Sequence, residues 1–309
     1  MAADALPQVS VVLPTYNGSR YLAEAIQSVI DQTFEDWELI IVDDCSTDET
    51  PQIIARFVQQ DPRIRYIRQE ANRKLPAALN TGFADARGDF FTWTSDDNLY
   101  RPEALAVLLG FLRDNADVDV VYADYTIIDE SGTVTARWRV CEPEGLAEDD
   151  VVGACFLYRR AVDGAIGGYD EDMFCVEDYD FWLRAAAQSR FRALHTDLYL
   201  YRLHPGSLTS RNKKLIHDAT MLAIERAIGK LGWVGRGQRA RVHLKLSQWA
   251  LKHSQHRRAW GHFLRALASA PGQVAQFNRR DLCRLVCGRR AGDLVLAAYA
   301  RIRSRKKEA

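Results

Sequence analysis

No run of about 18 apolar residues occurs in the 309-residue chain, so the sequence offers no helix to span a bilayer. The opening Met1-Ala2-Ala3-Asp4-Ala5-Leu6-Pro7 has neither a basic stretch nor an apolar core, and no secretory leader is expected. No G-x-G-x-x-G follows the first apolar run, which argues against NAD or FAD, and no G-x-x-x-x-G-K-[ST] occurs, which argues against a P-loop. The six cysteines, at 45, 141, 155, 175, 283 and 287, contain no C-x-x-C pair for zinc. Only Cys283 and Cys287 lie one helical turn apart, and all six read as reduced cytosolic thiols. The seven histidines show neither H-x-x-x-H nor H-E-x-x-H spacing; all but His204 read as surface residues.

What is present is a sizeable core: 47% hydrophobic residues against 27% charged, enough to exclude disorder as the default. The net charge of zero hides a division. Residues 211–309 carry 23 Lys and Arg against 5 Asp and Glu, a net of +18, and the remainder carries −18. Two regions with different partners are expected, residues 7–212 and 213–309.

Short apolar runs alternate with amphipathic stretches over the first 95 residues. Val9–Leu13 reads as a buried strand ending at Pro14-Thr15-Tyr16-Asn17-Gly18, and Ser19 is placed to cap a helix with Leu22, Ala25, Ile26 and Val29 on one face. Trp37–Val42 is a second strand ending at Asp43-Asp44, and Ser46 with Glu49 predicts a capping box. Ile64–Ile67 and Phe90–Thr94 are further strands. Such alternation predicts a doubly wound, mostly parallel sheet, which binds ligands at the carboxyl ends of its strands. Beyond residue 100 the pattern changes. Strands are expected at Val118–Tyr125, Ala154–Tyr158 and Leu198–His204, with a hairpin around Asp129–Gly132 and a helix over Tyr179–Gln188. From Lys213 onward the chain reads as helices.

The strand ends carry the chemistry. Asp96-Asp97, followed by Asn98, supplies hard oxygen ligands where a divalent cation could bridge to a diphosphate. Asp44 stands where an α/β site recognises a nucleoside, and Tyr16 could stack on a base. Glu177-Asp178 precedes a helix whose dipole stabilises an anion, and the pair offers a candidate general base. His204, at a strand end, is a candidate further ligand for Mn²⁺.

Taken in order, Val9–Gly18, Trp37–Asp48, Leu75–Gly82 and Thr94–Asn98 make the chain resemble the inverting family 2 glycosyltransferases of the GT-A type, over about residues 8 to 210. The resemblance implies an α/β fold, a Rossmann-like, mostly parallel sheet flanked by helices, with residues 7–212 as the catalytic domain and 213–309 as a basic helical appendage. It implies a nucleotide-diphosphosugar donor, most often a UDP-sugar, and a divalent metal, Mn²⁺ or Mg²⁺. Pro14, Thr15, Tyr16, Asn17 and Asp44 would then hold the nucleoside, Lys74 or Arg73 would face the donor, and Asp96 would contact the ribose. Asp97 and His204 take the metal positions and Asp178 that of the base. The chain lacks the Gln-x-x-Arg-Trp motif of the family's processive polymerases, which points to single sugar addition.

The expected acceptor is a carbohydrate or lipid-linked hydroxyl, with a role in polysaccharide, glycolipid or other glycoconjugate synthesis. The clusters Arg257-Arg258, Arg279-Arg280, Arg289-Arg290 and Arg301–Lys307 suggest that the appendage rests on an anionic membrane surface, which would make the protein cytoplasmic and peripheral at the inner face. The same charges could instead serve packing against acidic protein. No nucleic-acid partner is expected, since the tail carries no zinc, helix-turn-helix or RNP signature. The rival readings are a sugar-nucleotidyltransferase, and a non-catalytic or hydrolytic sugar-nucleotide-binding member.

Overall fold

The computed structural model describes residues 6–276, 281–282 and 284–286. The clusters at 279–280, 289–290 and 301–307 and both Cys283 and Cys287 lie outside the described residues. Contacts divide the chain into two compact units, with the boundary between Ala223 and Ile224.

The first unit runs β1 (Val9–Thr15), α1 (Leu22–Ile30), β2 (Trp37–Asp43), α2 (Thr50–Gln60), β3 (Ile64–Arg68), α3 (Lys74–Asp85), β4 (Phe90–Trp93), β5 (Leu99–Tyr100) and α4 (Ala104–Asp114). It continues with β6 (Val120–Ile128), β7 (Val134–Trp138), β8 (Phe156–Arg159), α5 (Arg160–Ile166), α6 (Glu177–Ala185), β9 (Phe191–Arg202) and the short α7 (Leu208–Arg211). Helix α8 (Lys213–Ala227) crosses the boundary, and α9 (Arg236–Lys252) and α10 (His256–Ser269) follow.

The strands form one sheet in the order β3-β2-β1-β4-β8-β6-β9-β5, with β7 added to the far half of β6. β3, β2, β1 and β4 are mutually parallel. β8 enters antiparallel between β4 and β6, and β9 returns parallel to β6. Every residue of β1 and β2 is buried, as expected for strands covered on both faces. Val9, Val11 and Leu13 meet α1 and α4 on one face, while Val12 meets α3 on the other. Each fully buried Leu, Ile or Val here contributes about 1.5–3 kcal/mol.

Several boundaries differ from the sequence expectation. α1 starts after Tyr21 with no side-chain cap, so Ser19 does not cap it. Ser46 accepts the Asn17 amide instead of capping α2, whose cap residue Glu49 makes no side-chain cap bond; Asp48, one residue earlier, accepts the Thr50 and Ser19 amides. β9 is twelve residues long, because its first half pairs with β6 where the sequence, broken by Arg192, His195 and Asp197, lacks an apolar run. α6 begins two residues early, so Glu177 and Asp178 form its first turn.

Candidate active site

The adjacent carboxyl ends of β2, β1 and β4 bring three acidic positions to one edge. Asp43 and Asp44 divide their labour. Asp43 is fully buried and structural, accepting the Tyr66 hydroxyl at 2.9 Å and the Ser46 amide at 2.7 Å. Asp44 points the other way. Its two oxygens accept the backbone amides of Arg73 and Lys74 at 2.7 and 2.8 Å, and its own amide donates to the Thr15 carbonyl. Burial pushes its carboxyl up, against those two amides. One side chain thus ties the loop after β2 to the start of α3. Pro14 stays buried within β1, whereas Tyr16 and Asn17 stand exposed on the loop beyond it. Asn17 clasps the neighbouring loop, its side-chain oxygen accepting the Thr47 amide at 2.8 Å. Lys74 is exposed, with Nζ 6.0 Å from the Phe174 ring.

Asp96 accepts the Thr15 hydroxyl at 2.5 Å. Burial, then the adjacent Asp97, pushes its carboxyl up to about 7. Gly18 is required here: a Cβ would stand 2.0 Å from Asp96 Oδ2 and 2.5 Å from Thr15 Oγ1. Asp97 Oδ2 lies 2.9 Å from His204 Nε2, and Asp97 Oδ1 accepts the Ser95 hydroxyl. The pairing of β5 with β9, Leu99 opposite Leu200 and Tyr100 opposite Tyr199, carries His204 to this place. Arg202, 3% exposed, completes the clamp: Nε donates to the Asp97 carbonyl at 3.0 Å, and its amide donates to Asn98 Oδ1 at 2.8 Å.

Asp178 sits half-buried in the first turn of α6, one oxygen accepting the Tyr179 amide at 2.7 Å. Burial pushes it up. Glu177 is 3% exposed with Oε2 unpartnered; burial and then the Asp178 charge push it up as well. Asp150, in the turn before β8, joins them, raised by burial and then by Asp178. Tyr201 spans the gap, its phenol raised by burial and, to a lesser degree, by both Asp97 and Asp178.

Backbone strain gathers at the same loops. Non-glycine residues with positive φ are Asn17, Cys45, Lys74 and Cys175, at 54°, 66°, 73° and 73°, with Ser254 the other among the described residues. Each costs about 1–3 kcal/mol and persists only where its surroundings over-determine it.

The structure thus gathers Thr15, Tyr16, Asn17, Asp44, Lys74, Asp96, Asp97 and His204 around adjoining strand ends, with Asp178 reached across Tyr201. Arg202 and Asp150 carried no sequence signal. Arg202 lies inside an apolar strand end, and Asp150 ends the acidic run Glu148-Asp149-Asp150, which reads as solvated surface. Among the described residues no group of three or more His, Cys, Asp or Glu could hold a metal ion, so Asp97 and His204 form a two-donor pair. A hard or borderline divalent cation accepts such an O,N pair when diphosphate oxygens and water complete its shell.

The histidine expectation fails in the second unit. His243 and His262 are 7% and 1% exposed, with Nδ1 atoms 3.2 Å apart. His262 Nε2 donates to Glu225, which Arg258 also holds. The Glu225 carboxylate only accepts, so His262 is the Nε2–H tautomer and His243 donates to its Nδ1. Trp249, Leu251, Phe263 and Leu285 are buried. Trp260, Leu264 and Leu267 are instead exposed at 37%, 55% and 41%, as are Leu282 and Val286 at 42% and 63%.

Comparison with known proteins gives consistent likenesses. The family described as Glycosyl transferase family 2 matches residues 10–167, just over half of the chain and ending before Asp178 and His204. An uncharacterized glycosyltransferase of Methanocaldococcus jannaschii is 30% identical over 221 residues, 67% of this chain and 75% of its own. An uncharacterized protein of Sinorhizobium fredii is 31% identical over 236 residues, 72% of this chain. The chain spans only 26% of that relative, and 66% of an uncharacterized glycosyltransferase of Rickettsia prowazekii that is 31% identical. Among solved structures, S. aureus TarS 1-349 in complex with UDP superposes with a TM-score of 0.64 at 21% identity, covering 93% of this chain and 88% of that one. The mannosyltransferase PcManGT from Pyrobaculum calidifontis, in complex with GDP-Man and Mn²⁺, gives 0.58 at 18%, covering 97% and 83%. At those identities the likeness establishes the fold, a mixed α/β GT-A type sheet flanked by helices.

Proposed function

The chain belongs to glycosyl transferase family 2, and from that premise we propose that it transfers a sugar, with inversion, from a nucleotide-diphosphosugar to an acceptor hydroxyl. The observation that carries this reading is the convergence of Asp44, the Thr15–Asp96 pair and the Asp97–His204 pair on adjoining strand ends.

The roles follow from the chemistry of each group. Asp44 keeps lone pairs free beyond its two loop amides and would accept a nucleobase N–H, with Tyr16 stacking on the base. Asp96 would accept from the ribose. Lys74 or Arg73 would face the phosphates. Asp97 and His204 would hold a divalent ion, Mn²⁺ or Mg²⁺, which supplies positive charge to the departing diphosphate when bound. Asp178 takes the proton of the acceptor hydroxyl as that oxygen bonds to the anomeric carbon and the bond from that carbon to the diphosphate oxygen breaks. One displacement needs one base and no covalent nucleophile. Arg202 and Asn98 fix the Asp97 backbone, so the pair's geometry is set before any ligand arrives.

UDP is the proposed nucleotide, supported by the TarS likeness, and GDP is its rival through the mannosyltransferase. No helix among the described residues is long and apolar enough to cross a membrane. The second unit is proposed to rest on an anionic leaflet. Trp260, Leu264 and Leu267 recur on one side of α10, exposed, with Arg257 and Arg265 beside them. A lipid-linked acceptor for cell-envelope polysaccharide or another glycoconjugate would then lie within reach.

The deciding experiment screens UDP-, GDP- and dTDP-sugars for binding and hydrolysis, with Mn²⁺ or Mg²⁺ and with EDTA. Metal-dependent release of the nucleoside diphosphate from one series supports the reading. Absence of binding to every series overturns it.

A further inference from the structure

Three aromatic side chains form a row leading away from the candidate base. Tyr201 on β9 lies close enough to Asp97 and Asp178 for both charges to act on its phenol. Its ring centroid is 5.9 Å from that of Tyr125 on β6. Tyr125 lies 6.3 Å from Trp138 on β7, the two planes inclined by 22°. Strand register places all three on one face of the sheet. Tyr125 is directly opposite Trp138, Ile127 is opposite Tyr201, and Tyr125 and Ile127 are two residues apart on one strand. Tyr201 and Tyr125 are half-buried, and Trp138 is 52% exposed at the outer end.

The row is built. Gly153 passes beneath Tyr125 so closely that a Cβ would stand 2.8 Å from Cε1, and its φ of +67° lies in the left-handed region that favours glycine. Asp150, three residues earlier, is near enough for its charge to act on the Tyr125 phenol and to feel Asp178. The hairpin that presents Trp138 is held by Asp129, which accepts the Ser131 and Thr133 amides at 2.8 and 3.0 Å. An exposed Trp on a fully exposed edge strand adds little to the core. Its position, continuous with a site that carries a base, is what requires an account.

We propose that Tyr201, Tyr125 and Trp138 form the acceptor platform, binding an oligosaccharide whose terminal sugar lies at Tyr201 beside Asp178 and whose preceding sugars lie toward Trp138. Pyranose rings present a C–H face that packs on aromatic rings, while their hydroxyls stay at the edges for water and for carboxylates such as Asp150. The inference rests on the glycosyltransferase reading and adds the class of acceptor: a chain of at least two sugars, rather than a monosaccharide or a simple alcohol.

The test uses the full chain on a printed oligosaccharide array, comparing wild type with Trp138→Ala, Trp138→Phe and Thr135→Ala. Thr135 lies three residues before Trp138 at the register shift of the same strand, its hydroxyl donating to the Ile127 carbonyl at 3.2 Å. Expected is retention of oligosaccharides by wild type and by Thr135→Ala, a loss of signal of tenfold or more for Trp138→Ala, and an intermediate signal for Trp138→Phe. Equal retention by wild type and Trp138→Ala overturns the platform, as does loss in Thr135→Ala matching that in Trp138→Ala. Wild type that binds UDP by calorimetry but retains no array sugar also overturns it. Wild type that retains sugars through Trp138 but binds no nucleotide leaves the platform standing and overturns the donor reading instead.

Discussion

His204 Nε2 stands 2.9 Å from Asp97 Oδ2 across 107 residues of sequence. Two such donors form a pair that a divalent cation would bridge, and the first prediction concerns that pair. Asp97→Ala removes the carboxylate and is expected to abolish metal-dependent release of nucleoside diphosphate, whereas His204→Ala should raise the Mn²⁺ concentration needed for half-maximal rate. Titration of the rate with Mn²⁺ after EDTA treatment measures both. Full turnover in EDTA would falsify the metal assignment.

Asp44 should matter for nucleotide affinity. Asp44→Ala is expected to weaken UDP binding by about 1.5–3 kcal/mol, the range of a hydrogen bond to a charged group. Asp44→Asn keeps one acceptor oxygen and must leave one of the Arg73 and Lys74 amides unmatched, so an intermediate loss is expected. Calorimetry that gives equal UDP affinity for all three proteins refutes the role.

Asp178→Asn is expected to lower kcat by about 10²–10⁴-fold while UDP binding persists. The pH profile adds a sign. Burial raises the Asp178 pKa, so the base gains its proton at higher pH than an ordinary carboxyl does. Activity should fall on the acid side as pH drops through that raised value. The Asp178 charge in turn helps to raise Asp150, so Asp178→Asn should let the Asp150 carboxyl lose its proton at lower pH. An acid limb at the pH of an ordinary carboxylate, about 4, excludes the effect of burial on Asp178.

The buried His243–His262 pair predicts an acid-labile second unit. Burial, then the neighbouring cations, lowers both from 6.5 to about 4. For groups with depressed folded pKa values, stability is present above the unfolded value and is lost as pH falls toward the folded one. The thermal unfolding midpoint should therefore decline from about pH 6.5 toward pH 4. His243→Leu should flatten the upper part of that decline, between pH 6.5 and 5, where few carboxylates titrate. Parallel curves for the two proteins would exclude the pair as the cause.

Membrane attachment has its own test. Co-sedimentation with vesicles containing phosphatidylglycerol should hold the full chain at low salt, and Trp260→Glu should release it. A chain that stays in the supernatant with anionic vesicles removes the membrane from the account.

How much of this was legible depended on whether a residue's partners were near it in sequence. Asp44, Asp96 and Asp97 end buried apolar strands, and strand ends are visible as breaks in hydrophobic runs. The turn Asp129–Gly132 is likewise local. The helix starts were misjudged because Ser46 and Asp48 both suit a cap, and the choice fell to Asn17, 29 residues from Ser46. Arg202 is buried because Asp97, Asn98 and Glu24 meet it from distant segments, and no local pattern encodes that meeting. His243 and His262 looked like surface residues because each lies among basic neighbours. Their burial follows only once α9 and α10 pack together.

The late position of β9 orders events at the ribosome. Strands β1 to β4 with Asp44 and Asp96 leave the exit tunnel first, and they are parallel neighbours able to associate as soon as β4 emerges. Residues 198–204 supply Arg202, His204 and the pairing partner of β5, and they follow about a hundred residues behind. At typical elongation rates of about 5–20 residues per second, a nascent chain spends several seconds with β1 to β4 emerged and Asp97 without His204. Competence for the proposed cation would therefore arrive as a late, discrete step of synthesis, and a ribosome stalled before residue 198 would display a chain without the Asp97–His204 pair.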